Sequence, residues 1–234
     1  MERKNVIAII PARGGSKGIK NKNLRNLAGK PLIKHSIDYA KQSKYIDKII
    51  VSTDCEKIKN FALSENVTVI ERPNEISGDK ALVVDAIRHV IIELEENEKY
   101  NADIIVLLEC TSPIKSLEEI DQAINILINE QADSVATFKQ TAISPNRFWK
   151  IKNNLVAPFI EGANPFLPRQ MQPVGYELSG QIYALTASIL NLYPDSISIL
   201  LGKIYPIITK TEVIDIDNEI DLLIAEIIYE YNKI

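Results

Sequence analysis

The chain has 234 residues, 46% of them hydrophobic and 25% charged, with a net charge of −4 and an isoelectric point near 5.4. That is ample for one α/β domain with a full core, and the acidity together with 6% aromatic content excludes nucleic acid as the main partner. Apolar stretches fall short of the roughly 18 residues of a spanning helix, no leader pattern precedes the first strand, and Cys55 and Cys110 suggest neither a disulfide framework nor a zinc site, so a soluble cytoplasmic protein with no membrane partner and reduced thiols is expected.

In chain order, 6–10 reads as a buried parallel strand. The loop at 11–30 follows, holding Gly14, Gly15, Gly18 and Gly29, four of the nine glycines. Gly14 and Gly15 can take positive φ and lack Cβ atoms, so backbone N–H groups can turn toward a phosphate. Arg13, Lys17, Lys20, Lys22, Arg25 and Lys30 supply six cations between Ala12 and Lys30, with no carboxylate. In an acidic chain that concentration of positive charge suits a polyphosphate. The loop is neither G-x-x-x-x-G-K-[ST] nor G-x-G-x-x-G.

Pro31 can open a helix whose face carries Leu32, Ile33, His35, Ser36, Tyr39 and Ala40. A strand at 48–53, a helix at 55–65, a strand at 67–70 and a long helix from about 80 to 98 come next. After them stand a strand at 103–108, a helix at 117–129 and a strand at 134–138. Such alternation, with continuous apolar strands, predicts a parallel sheet covered on both faces and ligands beyond its carboxyl ends. From 140 to 176 prolines break the pattern, which marks an arm or lid within a single domain spanning 1–234. Phe148, Trp149, Phe159 and Phe166 on that arm suggest a subunit contact. Strands at 177–185 and 203–209 lead to a closing helix at 217–231, with Ile220, Leu223, Ile224, Ile227, Ile228 and Tyr231 as its apolar face.

If 213–217 is extended, Asp215 and Asp217 project to one side and make a hard-oxygen pair suited to Mg²⁺. Alternatively Asp217 caps the last helix, as Asp79 caps the long one. Tyr183 is either a core aromatic or a ligand contact. His35 and His89 have no partner histidine at ligand spacing and read as structural.

The run I-I-P-A-R-G-G-S-K-G-I-K-N-K-N-L, followed by G-K-P-L-I, resembles the N-terminal signature of the CMP-sialic acid synthetases, or acylneuraminate cytidylyltransferases. The resemblance implies a Rossmann-like three-layer αβα nucleotidyltransferase fold with a mostly parallel sheet and an irregular dimerisation arm. It also implies that CTP is joined to an acidic 2-keto sugar, with pyrophosphate released. The nucleotide would lie on Ala12, Arg13, Gly14, Gly15, Ser16, Lys17, Lys22 and Asn23, with Arg13, Lys17 and Lys22 on the triphosphate and Asn23 at the cytidine end. Arg72, Ser77 and Asp79, in the stretch that matches the family's R-P-x-x-L-A-x-D, would enclose it. The family's D-I-D pair, which holds the catalytic Mg²⁺, falls on Asp215 and Asp217.

For the sugar, the implied contacts are Glu109, Thr111 and Ser112, Arg169 and Gln170 of P-R-Q, and Ser179, Gly180 and Tyr183. Glu109-Cys110 replaces the family's Gln-Pro, and Ser179 and Gln181 replace Asn and Ala. These departures point toward a relative of N-acetylneuraminate such as legionaminic or pseudaminic acid. Family members are dimers whose arms lie across the neighbour's site, so a homodimer is implied. A transferase acting on a sugar or polyol phosphate, and a non-catalytic nucleotide-binding relative, stand as the other readings.

Overall fold

Strand β1 (Val6–Pro11) shows why an unbroken apolar run was needed. Val6, Ala8 and Ile10 enter one hydrophobic cluster and Ile7 and Ile9 the other, so both faces of the strand are buried. The structure, a computed structural model, describes residues 3–16 and 18–231. After β1 come β2 (Asn26–Leu27), β3 (Lys30–Pro31), α1 (Leu32–Gln42), β4 (Lys48–Thr53), α2 (Glu56–Ser64), β5 (Thr68–Glu71), α3 (Val83–Glu98), β6 (Ile104–Leu107) and α4 (Leu117–Asn129). The remainder comprises β7 (Ser134–Gln140), β8 (Trp149–Lys152), β9 (Leu155–Pro158), β10 (Tyr176–Thr186), α5 (Ala187–Leu192), β11 (Ile204–Ile208) and α6 (Glu219–Tyr231).

Seven strands form one sheet in the order β11-β7-β10-β6-β1-β4-β5. All its pairings are parallel except those of β10, which runs antiparallel between β6 and β7. Helices α1, α2 and α4 pack on one face through Ile37, Ile58 and Ile124. On the other face, α3 and α5 pack through Ile87 and Ile189. A third, smaller cluster joins Ile19 and Leu27 to Ile216, Leu222 and Ala225, fastening the glycine-rich loop to α6.

Several boundaries move for identifiable reasons. Pro31 belongs to the short β2–β3 ribbon and α1 starts after it. α3 begins at Val83 behind Leu82, with no side-chain cap, so Asp79 is not its N-cap. Residues 213–217 pair with no strand, and the backbone N–H groups of Ile220 and Asp221 are capped by Asn218 rather than Asp217. The expected apolar face of α6 is largely exposed, Ile220, Leu223, Ile224, Ile227 and Tyr231 included. Leu222, Ala225 and Tyr229 make the packed face instead. Gly14 and Gly15 do not adopt positive φ. Helix α5 and the β8–β9 hairpin were not anticipated; the hairpin turns on Asn153 (φ 51°) and Asn154 (φ 60°), the left-handed pair that a two-residue hairpin loop requires.

Gly202 shows strain avoided just before β11. Its φ is +63°, and a Cβ there would lie 2.2 Å from the Asp133 Oδ2, which accepts the Lys203 N–H at 2.7 Å. Gly202→Ala is expected to cost about 1–3 kcal/mol of stability, read as a lowered urea midpoint with an unchanged slope.

Candidate active site

The sheet reverses its winding at β1: the chain runs from β1 to β4 and β5, then returns to place β6 on the other side. A cleft of about 540 Å³ opens at the carboxyl ends beside this switch point, the position expected for a ligand of an open α/β sheet. Arg13, Lys22 and Asn23 line it from the glycine-rich loop, Arg72 from the end of β5, Glu109 and Thr111 from the turn after β6, and Asp217 from the segment before α6.

The loop is held from behind. The Ala12 N–H donates to the Ser52 carbonyl at 2.9 Å, the Gly14 N–H donates to Asp54 Oδ1 at 2.7 Å, and buried Asn23 donates through Nδ2 to the Arg13 carbonyl at 2.9 Å. Gly14 is required by closeness, since its Cβ would lie 2.8 Å from that of Cys55. The Arg13 guanidinium donates to the Gly78 carbonyl at 2.7 Å and stands 3.6 Å from Asp79. Arg72 is buried, donating from Nε to Ser52 Oγ at 3.1 Å and from Nη2 to the Ser52 carbonyl at 2.9 Å. Burial lowers its pKa, with Asp54 opposing. Ser77 Oγ is bonded to the Pro73 carbonyl at 2.8 Å. Ser16 lines the cleft, and Lys17 lies outside the described residues.

The opposite wall is built from the chain's end. Lys22 Nζ donates to the Ile216 carbonyl at 2.8 Å and to Asp217 Oδ1 at 3.0 Å. Ile216 is buried and its N–H donates to the Thr111 carbonyl at 2.8 Å, which ties this segment to the turn after β6. Asp215 and Asp217 flank Ile216 and both stay exposed. Glu109 has its pKa raised by burial and by the charge of Asp215. Burial, Glu109 and Asp215 together push Tyr183 up to about 12. The buried Cys110 thiol is pushed up to about 12, mainly by burial, and is no nucleophile.

Arg13, Ser16, Lys22, Asn23, Arg72, Glu109, Thr111 and Asp217 therefore share one cleft. Asp215 and Tyr183 are not among its lining residues; besides burial, the Asp215 charge raises the pKa of Glu109, and both carboxylates raise that of Tyr183. Other expected contacts sit elsewhere. Ser179 is buried and donates to Thr137 Oγ1 at 2.6 Å inside the sheet. Gly180 takes φ +73° at a bulge in β10, where a Cβ would meet Ser112 Oγ at 3.0 Å. Ser112 is buried beneath it. Arg169 and Gln170 lie on the arm, where Arg169 borders a separate concavity with Arg147 and Gln172. His35 is structural as expected, its Nε2 bonded to the Leu27 carbonyl at 2.9 Å and its Nδ1 2.9 Å from the Tyr229 hydroxyl. Gly18, read from the sequence only as one of the loop's glycines, approaches the Asp217 carbonyl closely, and Lys115, not singled out in the sequence, is buried under the turn after β6.

A mostly parallel sheet with a cationic loop and paired carboxylates around a switch-point cleft defines an α/β fold of the nucleotidyltransferase type. The family model described as cytidylyltransferase matches residues 7–222. The chain belongs to that family, as its N-terminal signature implied. An N-acylneuraminate cytidylyltransferase of Streptococcus agalactiae is 36% identical over 173 residues, 73% of this chain and 41% of that protein. The chain thus matches about two fifths of that relative's length. A CMP-N,N'-diacetyllegionaminic acid synthase of Legionella pneumophila is 31% identical over 97% of each chain. Among solved structures, a CMP:2-keto-3-deoxy-manno-octonic acid synthetase complexed with CTP superposes with a TM-score of 0.71 at 17% identity, covering 97% of this chain and 99% of that one. At that identity the likeness concerns the fold.

Proposed function

We propose that this protein is a cytoplasmic CTP-dependent cytidylyltransferase acting on a sialic-acid-like 2-keto-3-deoxy sugar acid. The observation that carries the reading is the polarity of the cleft. Arg13, Lys22 and Arg72 gather at a glycine-rich loop, while Glu109, Tyr183 and Asp215 cluster across from it. Two relatives are named for products or substrates of this class, CMP-N,N'-diacetyllegionaminic acid and N-acylneuraminate.

In the reaction, the anomeric hydroxyl oxygen bonds to the α-phosphorus, the bond from that phosphorus to the bridging oxygen breaks, pyrophosphate leaves and the hydroxyl proton passes to solvent. Such a displacement depends on positioning and charge neutralisation. Arg13 and Lys22, with Lys17, hold the triphosphate. Arg72, fixed by Ser52, adds charge from beneath. Asn23 keeps the loop in register at the nucleotide end. Asp215 and Asp217 fit Mg²⁺, because both are exposed carboxylates flanking a buried isoleucine and offer only hard oxygen donors. When bound, Mg²⁺ would offset phosphate charge and favour ionisation of a hydroxyl.

The test is pyrophosphate release with CTP, Mg²⁺ and a panel of N-acetylneuraminate, legionaminate, pseudaminate, the eight-carbon octulosonate, a sugar phosphate and a polyol phosphate. Turnover with one nine-carbon acid is expected. Turnover only with a sugar or polyol phosphate, or none despite CTP binding, would overturn the reading.

The active form is proposed to be a homodimer joined through the arm. Phe159 is 65% and Phe166 84% exposed in the single chain, apolar surface of the kind that marks a protein contact. Arg169, expected near the sugar carboxylate, does not line its own chain's cleft, and a partner's arm would deliver it. Phe159→Glu with Phe166→Glu is expected to convert a dimeric mass into a monomeric one by sedimentation, with loss of sugar-dependent turnover. A wild-type monomer at working concentration would refute the dimer.

A further inference from the structure

The turn after β6 has nearly all its carbonyls taken up by groups that reach it from behind. Glu109 accepts from Ser36 Oγ at 3.2 Å and from Lys115 Nζ at 2.7 Å. The Thr111 carbonyl accepts from the Ile216 N–H at 2.8 Å, and the Ser112 carbonyl also accepts from Lys115. Pro113 accepts from the Tyr229 hydroxyl at 3.1 Å and Ile114 from Gln181 Nε2 at 2.7 Å. Four of these donors come from other parts of the fold: α1, the segment before α6, α6 itself and β10. Lys115 alone closes the turn on itself, bridging the Glu109 and Ser112 carbonyls.

We propose that Lys115 is a positioning residue for the acceptor: its buried ammonium clamps the Glu109 and Ser112 carbonyls and so presents Glu109 and Thr111 to the sugar acid. The inference rests on the proposed function. Lys115 is 4% exposed, and taking an ammonium out of water costs several kcal/mol unless its donors are satisfied and its charge opposed. A methionine would fill the same space without that cost, so packing alone does not account for a lysine here. The charges it faces are those of Glu109 and Asp215, beside the Cys110 thiol. Burial pulls its pKa down to about 8 while those groups oppose the shift, so the ammonium is the prevailing form at neutral pH. Lys115 does not line the cleft. It acts on the substrate through the backbone that it holds and through the charge that it sets against Glu109 and Asp215.

The effect is expected at one substrate. Among the described residues the nucleotide loop touches the turn only indirectly, through Ile216, and is otherwise fixed by Ser52, Asp54 and Asn23, so a loosened turn should disturb CTP far less than the sugar acid. Lys115→Met is expected to raise KM for the acid sugar tenfold or more while KM for CTP stays within twofold. Lys115→Gln, which keeps N–H donors without charge, should fall between. A second readout needs no turnover: ¹⁵N order parameters of Cys110 to Ser112 should lie near the rigid value of about 0.85 in the wild type without substrate and drop below about 0.6 in Lys115→Met. The proposal is overturned if both KM values move together, if neither moves, if the wild-type turn is already mobile, or if both variants fail to fold. Absence of wild-type turnover with every acid would count against the proposed function instead, and the order parameters would still decide whether the clamp exists.

Discussion

Asp215→Asn is expected to lower turnover by about 10²–10³-fold, some 2.7–4 kcal/mol of transition-state stabilisation, while leaving the melting temperature unchanged and CTP affinity within about threefold. The substitution is isosteric. Asp215 is exposed, and no hydrogen bond or ion pair of its carboxylate is found among the described residues, so the fold loses no direct contact, and the charge it sets toward Lys115 is balanced by relief of its repulsion of Glu109. What is lost is a charge at the place where phosphate, attacking hydroxyl and divalent ion would meet. Asp195→Asn serves as the control. It removes a carboxylate from the loop after α5, which follows the end of β10 paired with the start of β6, hence at the opposite end of the parallel strands from the cleft. Wild-type turnover in Asp215→Asn would sink the assignment of this carboxylate to the chemistry.

The parallel sheet was legible because a strand buried on both faces must be apolar throughout, and V-I-A-I-I distributes its residues alternately into two clusters. The crowding of cations and glycines after it was legible as a ligand-facing loop, and it lines the cleft, though for the wrong geometric reason at Gly14, which is needed for its nearness to Cys55 and not for its φ. Periodicity also announced an apolar stripe on α6, yet it could not say which side the domain would cover. The side that packs holds Leu222, Ala225 and Tyr229, set by the small cluster around Ile19 and Ile216.

Contacts between segments remote in sequence were not legible at all. Lys115 looks like an ordinary lysine between a proline turn and a helix; its burial depends on the turn folding back over it. Ser179 and Gln181 read as substrate-tuning positions beside Gly180. Gln181 instead spends Nε2 on the Ile114 carbonyl and on Thr211 Oγ1 at 2.8 Å, as Ser179 spends its hydroxyl on Thr137. The Gln181 departure therefore alters the support of the turn after β6, and the Ser179 departure the junction of β10 with β7.

Gly18→Ala is expected to reduce kcat/KM by at least a hundredfold and stability by about 1–3 kcal/mol. A Cβ at this position would sit 1.9 Å from the Asp217 carbonyl oxygen and 3.1 Å from its carbon. Neither atom is the end of a flexible side chain, so one backbone must withdraw from the other. The Asp217 side cannot yield alone, because Ile216 is buried and bonded to Thr111 and Arg25 grips Glu219 through two hydrogen bonds of 2.5 and 2.9 Å. The loop cannot yield alone, because Ile19 is buried against Ile216 and Lys22 is bonded to the Ile216 carbonyl. Whichever side moves, the cations of the loop separate from the carboxylates across the cleft, and a displacement of about 1 Å suffices to cost on the order of a hundredfold in rate. Gly15→Ala isolates the steric cause, since nothing lies within 4 Å of its added Cβ; its melting temperature should match the wild type's. Equal stability losses in the two variants would mean that loss of glycine flexibility matters here, and that the close approach of Gly18 to Asp217 does not hold the two walls of the cleft together.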